Sequence, residues 1–207
     1  LSELAEVSLG RPRRRIDERL VWSAVQITKV TIDGPLLVEP VIHGDERGFF
    51  LESFRADALD AAGLSVEFVQ DNHSRSGRQI VRGMHFQPGQ MKLVRCVRGA
   101  IFDAIVDIRV GSPTFGQWEG YELNDETHRQ LLVPDGFAHG FCVLSEVADV
   151  MYKVTEYYNP SAESGFRFDD PEVGIDWPGG ADSLVASARD RAAPGLAEIK
   201  ASLPFRL

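Results

Sequence analysis

Three short stretches of this chain gather side chains that can move protons. Arg82-Gly83-Met84-His85-Phe86-Gln87 places a histidine at the end of a strand-like run, with an arginine and a glycine before it. Pro134-Asp135-Gly136-Phe137-Ala138-His139-Gly140-Phe141 places a second histidine beside small residues. Tyr152-Lys153-Val154-Thr155-Glu156-Tyr157-Tyr158 brings phenols close to a lysine. Imidazole exchanges protons near neutral pH, phenol is a weak acid, and ammonium stabilises developing negative charge. The chemistry open to such a set is general acid–base catalysis. Taken singly, each stretch also has an ordinary structural use, because a lone histidine is often simply hydrogen-bonded and tyrosines fill barrel cores.

Metal chemistry asks for a different pattern. A barrel metal site typically takes two histidines one residue apart on one strand face, with a carboxylate nearby. The five histidines are His43, His73, His85, His128 and His139, and no His-x-His occurs. No metal centre is therefore expected. Neither a Gly-x-Gly-x-x-Gly fingerprint nor a Walker loop is present, so no dinucleotide or ATP site is signalled.

The elements that must position these groups are short strands. Candidates fall at 25–31, 36–40, 49–54, 67–72, 79–86, 91–98, 100–109, 116–123, 129–133, 138–144 and 147–155. Asp45-Glu46-Arg47-Gly48 reads as a turn, and Gly99 as the tight junction of two strands. Residues 101–107 are apolar except for Asp103 and Asp107, which fits a strand covered on both faces. Residues 55–62, stopped by Gly63, form the one convincing early helix, and 196–203 a possible late one. Many short strands spaced by turns predict an all-β sandwich or jelly-roll barrel with a few short peripheral helices.

With 207 residues the chain is long enough for one domain with a real core. Residues 1–22, which include Arg11-Pro12-Arg13-Arg14-Arg15, read as a flexible N-terminal extension, and 23–207 as a single domain. No apolar h-region follows the arginines and no run approaches a membrane span, so a cytoplasmic protein without membrane contact is expected. Cys96 and Cys142 lie in apolar stretches and read as reduced core thiols. A net charge of −9 argues against nucleic acid as a partner but leaves room for one anionic small ligand held by converging Arg and Lys.

Read as ordered blocks, the sequence resembles a known family. The blocks are Gly44-Asp45-Glu46-Arg47-Gly48-Phe49-Phe50 with Glu52-Ser53-Phe54, then Val69-Gln70-Asp71-Asn72-His73-Ser74-Arg75-Ser76. The Arg82–Gln87 block, Lys92-Leu93-Val94-Arg95, Ser112-Pro113-Thr114-Phe115-Gly116 and the 134–141 block follow. Asp169-Asp170-Pro171 and Ile175-Asp176-Trp177-Pro178 close the series. Together they resemble the dTDP-4-dehydrorhamnose 3,5-epimerases, a cupin-like jelly-roll group without cofactor, from about residue 25 to 191.

The resemblance implies a homodimer with strand exchange and a dTDP-4-keto-6-deoxyhexose as substrate. It implies His85 as catalytic base, Asp190 as the carboxylate paired with it, Tyr152 as the opposing acid and Lys92 as the lysine near the C4 oxygen. It assigns Arg47, Glu52, Gln70, Asn72, Arg82, His139, Tyr158 and Glu163 to holding nucleotide and sugar. Phe49 or Tyr158 would stack on thymine or line the sugar pocket. Arg189 stands beside Asp190 where the family usually has lysine. The segment between His85-Phe86-Gln87 and Lys92 is shorter than usual, and the first ~20 residues have no counterpart in short members. The implied reaction removes a proton beside a ketone and returns one to the opposite face, at C3, C5 or both. A mono-epimerase of a natural-product deoxysugar is the alternative within the class. A non-catalytic sugar-nucleotide-binding barrel is the alternative outside it.

Overall fold

The computed structural model describes residues 25–207; the expected extension over 1–22 lies outside them. In chain order the strands are β1 (Gln26–Lys29), β2 (Leu36–Glu39), β3 (Ile42–Asp45), β4 (Gly48–Leu51), β5 (Gln70–Gly77), β6 (Val81–Phe86), β7 (Lys92–Arg98), β8 (Ala100–Asp107), β9 (Trp118–Asn124), β10 (Gln130–Val133), β11 (Phe137–Val143), β12 (Val147–Val154) and β13 (Ser164–Gly165). The helices are short: α1 (Ala56–Ala61), α2 (Ala188–Arg191) and α3 (Leu196–Ile199). A six-stranded sheet runs β1-β2-β10-β7-β12-β5 and a five-stranded sheet runs β13-β6-β11-β8-β9, while β3 and β4 pair only with each other. All these pairings are antiparallel. The result is the expected all-β, cupin-like jelly roll with a few short helices.

Period-two alternation divides the core into layers. On β8, Ile101 and Ile105 point between the sheets and pack with Val94, Leu131, Phe141 and Val150. Ala104 and Val106 point the other way, onto a second core closed by Phe166, Phe168, Trp177, Leu196 and Leu203 of the C-terminal segment. The run 101–107 is thus covered on both faces. A smaller cluster of Val38, Leu93 and Leu132 is covered by Phe54, Leu64 and Phe68 from the segment around α1. Each such fully buried side chain stabilises the fold by about 1.5–3 kcal/mol. Gly99 does form the tight β7–β8 junction: a Cβ there would lie 2.2 Å from the Val147 carbonyl oxygen. Cys96 and Cys142 are free and buried, and burial pushes their thiols up to about 12 and about 11.

Three expected elements differ in extent or kind, and β13 and α2 match no expected element. The strand expected at 67–72 instead begins at Gln70 and runs to Gly77. One of its faces lines a polar cavity and the other meets solvent, so its second half carries no apolar alternation. The residues preceding the 45–48 turn form a strand, with Asp45 opposite Gly48 and only Glu46 and Arg47 as the loop. All four residues of β3 are exposed, so no burial pattern marked them. The helix expected at 196–203 is α3 followed by a 3-10 turn, Lys200–Ser202.

Candidate active site

A cavity of about 680 Å³ opens between the two sheets, a size typical of small-molecule sites. A bulge in β6 shapes one wall. His139 on β11 faces His85, and Phe141 faces Arg82, so one residue of β11 opposes the pair Gly83 and Met84. Strict alternation would turn Arg82 and His85 to opposite faces. The extra residue lets both face the cavity. The close approach depends on glycine. A Cβ on Gly83 would lie 2.6 Å from the Gly140 Cα, and one on Gly140 would lie 2.7 Å from the Met84 Sδ.

Both histidines of this wall are paired with carboxylates. His85 Nε2 lies 2.7 Å from Asp190 Oδ1. Asp190 arrives on α2, where the Ser187 side chain caps the helix by accepting the Asp190 backbone N–H at 3.1 Å. Burial alone would raise the Asp190 carboxyl. Hydrogen bonds from His85, the Ser187 hydroxyl and the Gly83 backbone N–H overcome it and hold the group below the usual carboxylate range. The charged carboxylate selects the imidazole tautomer with its proton on Nε2, which leaves a lone pair on Nδ1. In the second pair, His139 Nε2 lies 3.0 and 2.9 Å from the two oxygens of Asp103 on β8.

The opposite sheet supplies an ammonium and a phenol. Lys92 on β7 and Tyr152 on β12 both line the cavity. Burial pushes Lys92 down to about 8, although Glu163 and Asp103 oppose the shift. Burial raises the Tyr152 phenol, and Glu163 adds to that effect, so it keeps its proton at neutral pH. Around the mouth, Tyr158 OH and Arg189 Nη1 both donate to Glu163 Oε2, at 3.2 and 2.6 Å. Gln70 donates to Asn72 at 2.8 Å and accepts the Tyr158 backbone N–H at 3.1 Å. Arg82 Nε donates to Ser76 Oγ at 3.0 Å, which fixes one edge of its guanidinium.

The structure therefore brings His85, Asp190, Tyr152, Lys92, Gln70, Asn72, Arg82, His139, Tyr158, Glu163 and Arg189 to one cavity. It does not bring Arg47, Phe49 or Glu52 there. Arg47 is paired with Asp45 at the β3–β4 loop, Phe49 sits 4.7 Å from the His128 ring, and Glu52 faces Arg55. Sequence reasoning gave no role to Asp103, Ser187 or Ser76. Asp103 did leave a signal: a carboxylate in a strand covered on both faces needs a buried partner. Asp170 and Trp177, from the two closing blocks, are structural. Asp170 accepts the Leu196 N–H at 2.6 Å, and the Trp177 indole donates to the Phe168 carbonyl at 2.8 Å. Among the described residues, no group of three or more His, Cys, Asp or Glu is placed to hold a metal, and no helix is long and apolar enough to cross a membrane.

A jelly roll whose inner cavity sets carboxylate-paired imidazoles against a phenol and an ammonium has the groups that proton transfer in a sugar epimerase requires. The sequence model of dTDP-4-dehydrorhamnose 3,5-epimerase matches residues 29–198. The chain belongs to that family of isomerases. It is 50% identical over 172 residues to the dTDP-4-dehydrorhamnose 3,5-epimerase of Salmonella typhimurium, covering 81% of this chain and 93% of the relative. It is 42% identical over 180 residues to a dTDP-4-dehydrorhamnose 3-epimerase of Streptomyces niveus, covering 85% and 86%. A crystal structure of dTDP-6-deoxy-D-glucose-3,5-epimerase from Legionella pneumophila, in complex with dTDP-4-keto-L-rhamnose, superposes with a TM-score of 0.84 at 48% identity, covering 88% of this chain and 98% of that one.

Proposed function

We propose that residues 23–207 form one epimerase domain that inverts C3 and C5 of a dTDP-4-keto-6-deoxyhexose in deoxysugar biosynthesis. The observation that carries the mechanism is placement. The His85–Asp190 pair stands on the five-stranded side of the cavity and Tyr152 on the six-stranded side. Inversion beside a ketone needs this opposition: a base on one face of the ring and an acid on the other. His85 takes the proton α to the C4 ketone, and Asp190 stabilises the imidazolium that forms. Lys92 faces the enolate oxygen and offsets its charge. Tyr152 returns a proton to the opposite face. Arg82 and Arg189 suit the diphosphate, because guanidinium binds phosphate through two parallel hydrogen bonds. Proton NMR of dTDP-4-keto-6-deoxyglucose with the enzyme in D₂O tests this. Deuterium at C3 and C5 is expected. Label at one carbon alone would replace the reading with the mono-epimerase, for which the Streptomyces niveus relative is the precedent. No label would leave a binding barrel.

The reading includes a cytoplasmic homodimer. The β3–β4 hairpin pairs with neither sheet and exposes Phe49 and Phe50, each at 61%. It carries two of the nucleotide-holding residues that its own cavity lacks, Arg47 and Phe49; Glu52 follows directly after β4. A second copy that lends this hairpin to the cavity reconciles the two facts. Mixing Arg47→Ala with His85→Asn chains tests it. In a mixed dimer, the intact cavity of the first receives the intact hairpin of the second, so activity returns. Hairpins that serve their own chain would leave the mixture inactive.

A further inference from the structure

The segment that follows β12 brings Tyr158 to the cavity mouth, yet main chain does not hold it there. Among the described residues, 156–158 make no hydrogen bond to another backbone group. Three glutamine side chains hold the segment instead. Gln90 Nε2 donates to the Glu156 carbonyl at 2.9 Å, and Gln70 Oε1 accepts the Tyr158 N–H at 3.1 Å. Gln87 brackets Tyr158: its Nε2 donates to the Tyr157 carbonyl at 3.0 Å, and its Oε1 accepts the Asn159 N–H at 2.9 Å. Gln70 and Gln90 line the cavity, whereas Gln87 does not. Gln87 is buried, 6% exposed, and it follows β6 directly, two residues after His85.

We propose that Gln87 is a positioning residue for substrate binding: its buried amide clasps the backbone on both sides of Tyr158 and fixes that residue relative to the strand bearing His85. This rests on the reading of Tyr158 as a ligand-holding residue. A side-chain amide suits the task because it presents a donor and an acceptor side by side, the complement of a carbonyl and the N–H two residues on. Gln87 cannot itself hold the ligand, since it does not face the cavity. Without it, the Tyr157 carbonyl and the Asn159 N–H lose their protein partners, and the segment keeps only the two glutamines that a ligand also meets. Tyr158 would then have to be ordered at the moment of binding, a cost that appears as lost affinity.

The test is Gln87→Met, which removes both hydrogen bonds at similar volume. By residue-resolved amide exchange, the Asn159 N–H is expected to exchange roughly tenfold faster than in wild type, while amides of the β8–β11 ladder keep their rates. Affinity for dTDP, read by calorimetry, is expected to fall about tenfold, and KM for dTDP-4-keto-6-deoxyglucose to rise by a similar factor with kcat unchanged. In a Tyr158→Ala background the same substitution is expected to cost little further affinity, because the side chain it positions is gone. An Asn159 amide as protected as in wild type would mean that no clasp exists in solution and would overturn the proposal. Faster exchange without loss of dTDP affinity, a loss confined to kcat, or an equal loss in the Tyr158→Ala background would each overturn it too. A wild-type chain that binds no dTDP would remove the ligand reading of Tyr158, and the proposal with it; that failure shows before any variant is made. If Gln87→Met does not fold, Gln87→Glu decides at alkaline pH. It keeps the shape and the acceptor for Asn159 but sets an oxygen against the Tyr157 carbonyl, so wild-type dTDP affinity in that variant would overturn the proposal.

Discussion

The two histidine–carboxylate pairs of the cavity use the same groups and stand opposite each other on β6 and β11, yet they are built differently. His139 and Asp103 sit on neighbouring strands of one sheet, with side chains 9% and 0% exposed. His85 is 26% exposed, and its carboxylate comes from 105 residues away in sequence, on a four-residue helix. The first pair is fixed by the sheet itself. The second depends on a segment that folds back over the cavity. A residue that trades protons with a ligand needs access and room for its charge to change, and only the second pair has both. The sealed pair is suited to hold a ring in one orientation.

Substitutions that split the pairs put this difference at risk. His85→Asn is expected to lower kcat for proton exchange by roughly 10²–10⁴-fold, the usual worth of general base catalysis. His139→Asn is expected to act mainly on KM. The reverse ranking would exchange the roles of the two rings. Next in size is Asp190→Asn, at about 10–100-fold in kcat, because an amide no longer selects the imidazole tautomer. Asp103→Asn should cost less activity but more stability, about 1–3 kcal/mol, since it disturbs a fully buried hydrogen-bonded group. Thermal melts and turnover on the same two variants check this, and equal effects on both would erase the distinction between an open and a sealed pair.

How much of this was legible in the sequence follows the same division. Most strands from β6 to β12 were readable because their burial alternates or is continuous. The roles of His85, Lys92, Tyr152 and Asp190 were named through the resemblance to the epimerase family. Their convergence was not readable, because it depends on the bulge at Gly83 and Met84, which overrides period-two alternation. The long return of α2 onto β6 has no local signature beyond the Ser187 cap. β3 and the second half of β5 escaped notice because polar residues on both faces leave no pattern. Asp103 was visible as an anomaly in an apolar strand, but its partner was fixed only by the register that sets Phe141 opposite it and His139 two residues away.

The smallest expected effect concerns acid stability. Asp190 titrates below its ordinary 3.8 in the folded chain, since the hydrogen bonds from His85, Ser187 and Gly83 outweigh burial. A carboxyl with a depressed folded value binds fewer protons folded than unfolded. Its contribution to stability is therefore present above about pH 4 and is lost as pH falls through the lower folded value. Denaturant melts of wild type and Asp190→Asn should show wild type ahead near neutrality, by no more than about 1 kcal/mol. That lead should shrink as the solution is acidified below pH 4. Lys92 works in the opposite range. Its folded value of about 8 lies below the ordinary 10.5, so the unfolded chain binds more protons between them and stability rises with pH there. A lead of wild type over Asp190→Asn that stays constant into acid would mean that His85 does not hold this carboxylate ionised in solution. The open pair would then lack the electrostatic coupling that sets it apart from the sealed one.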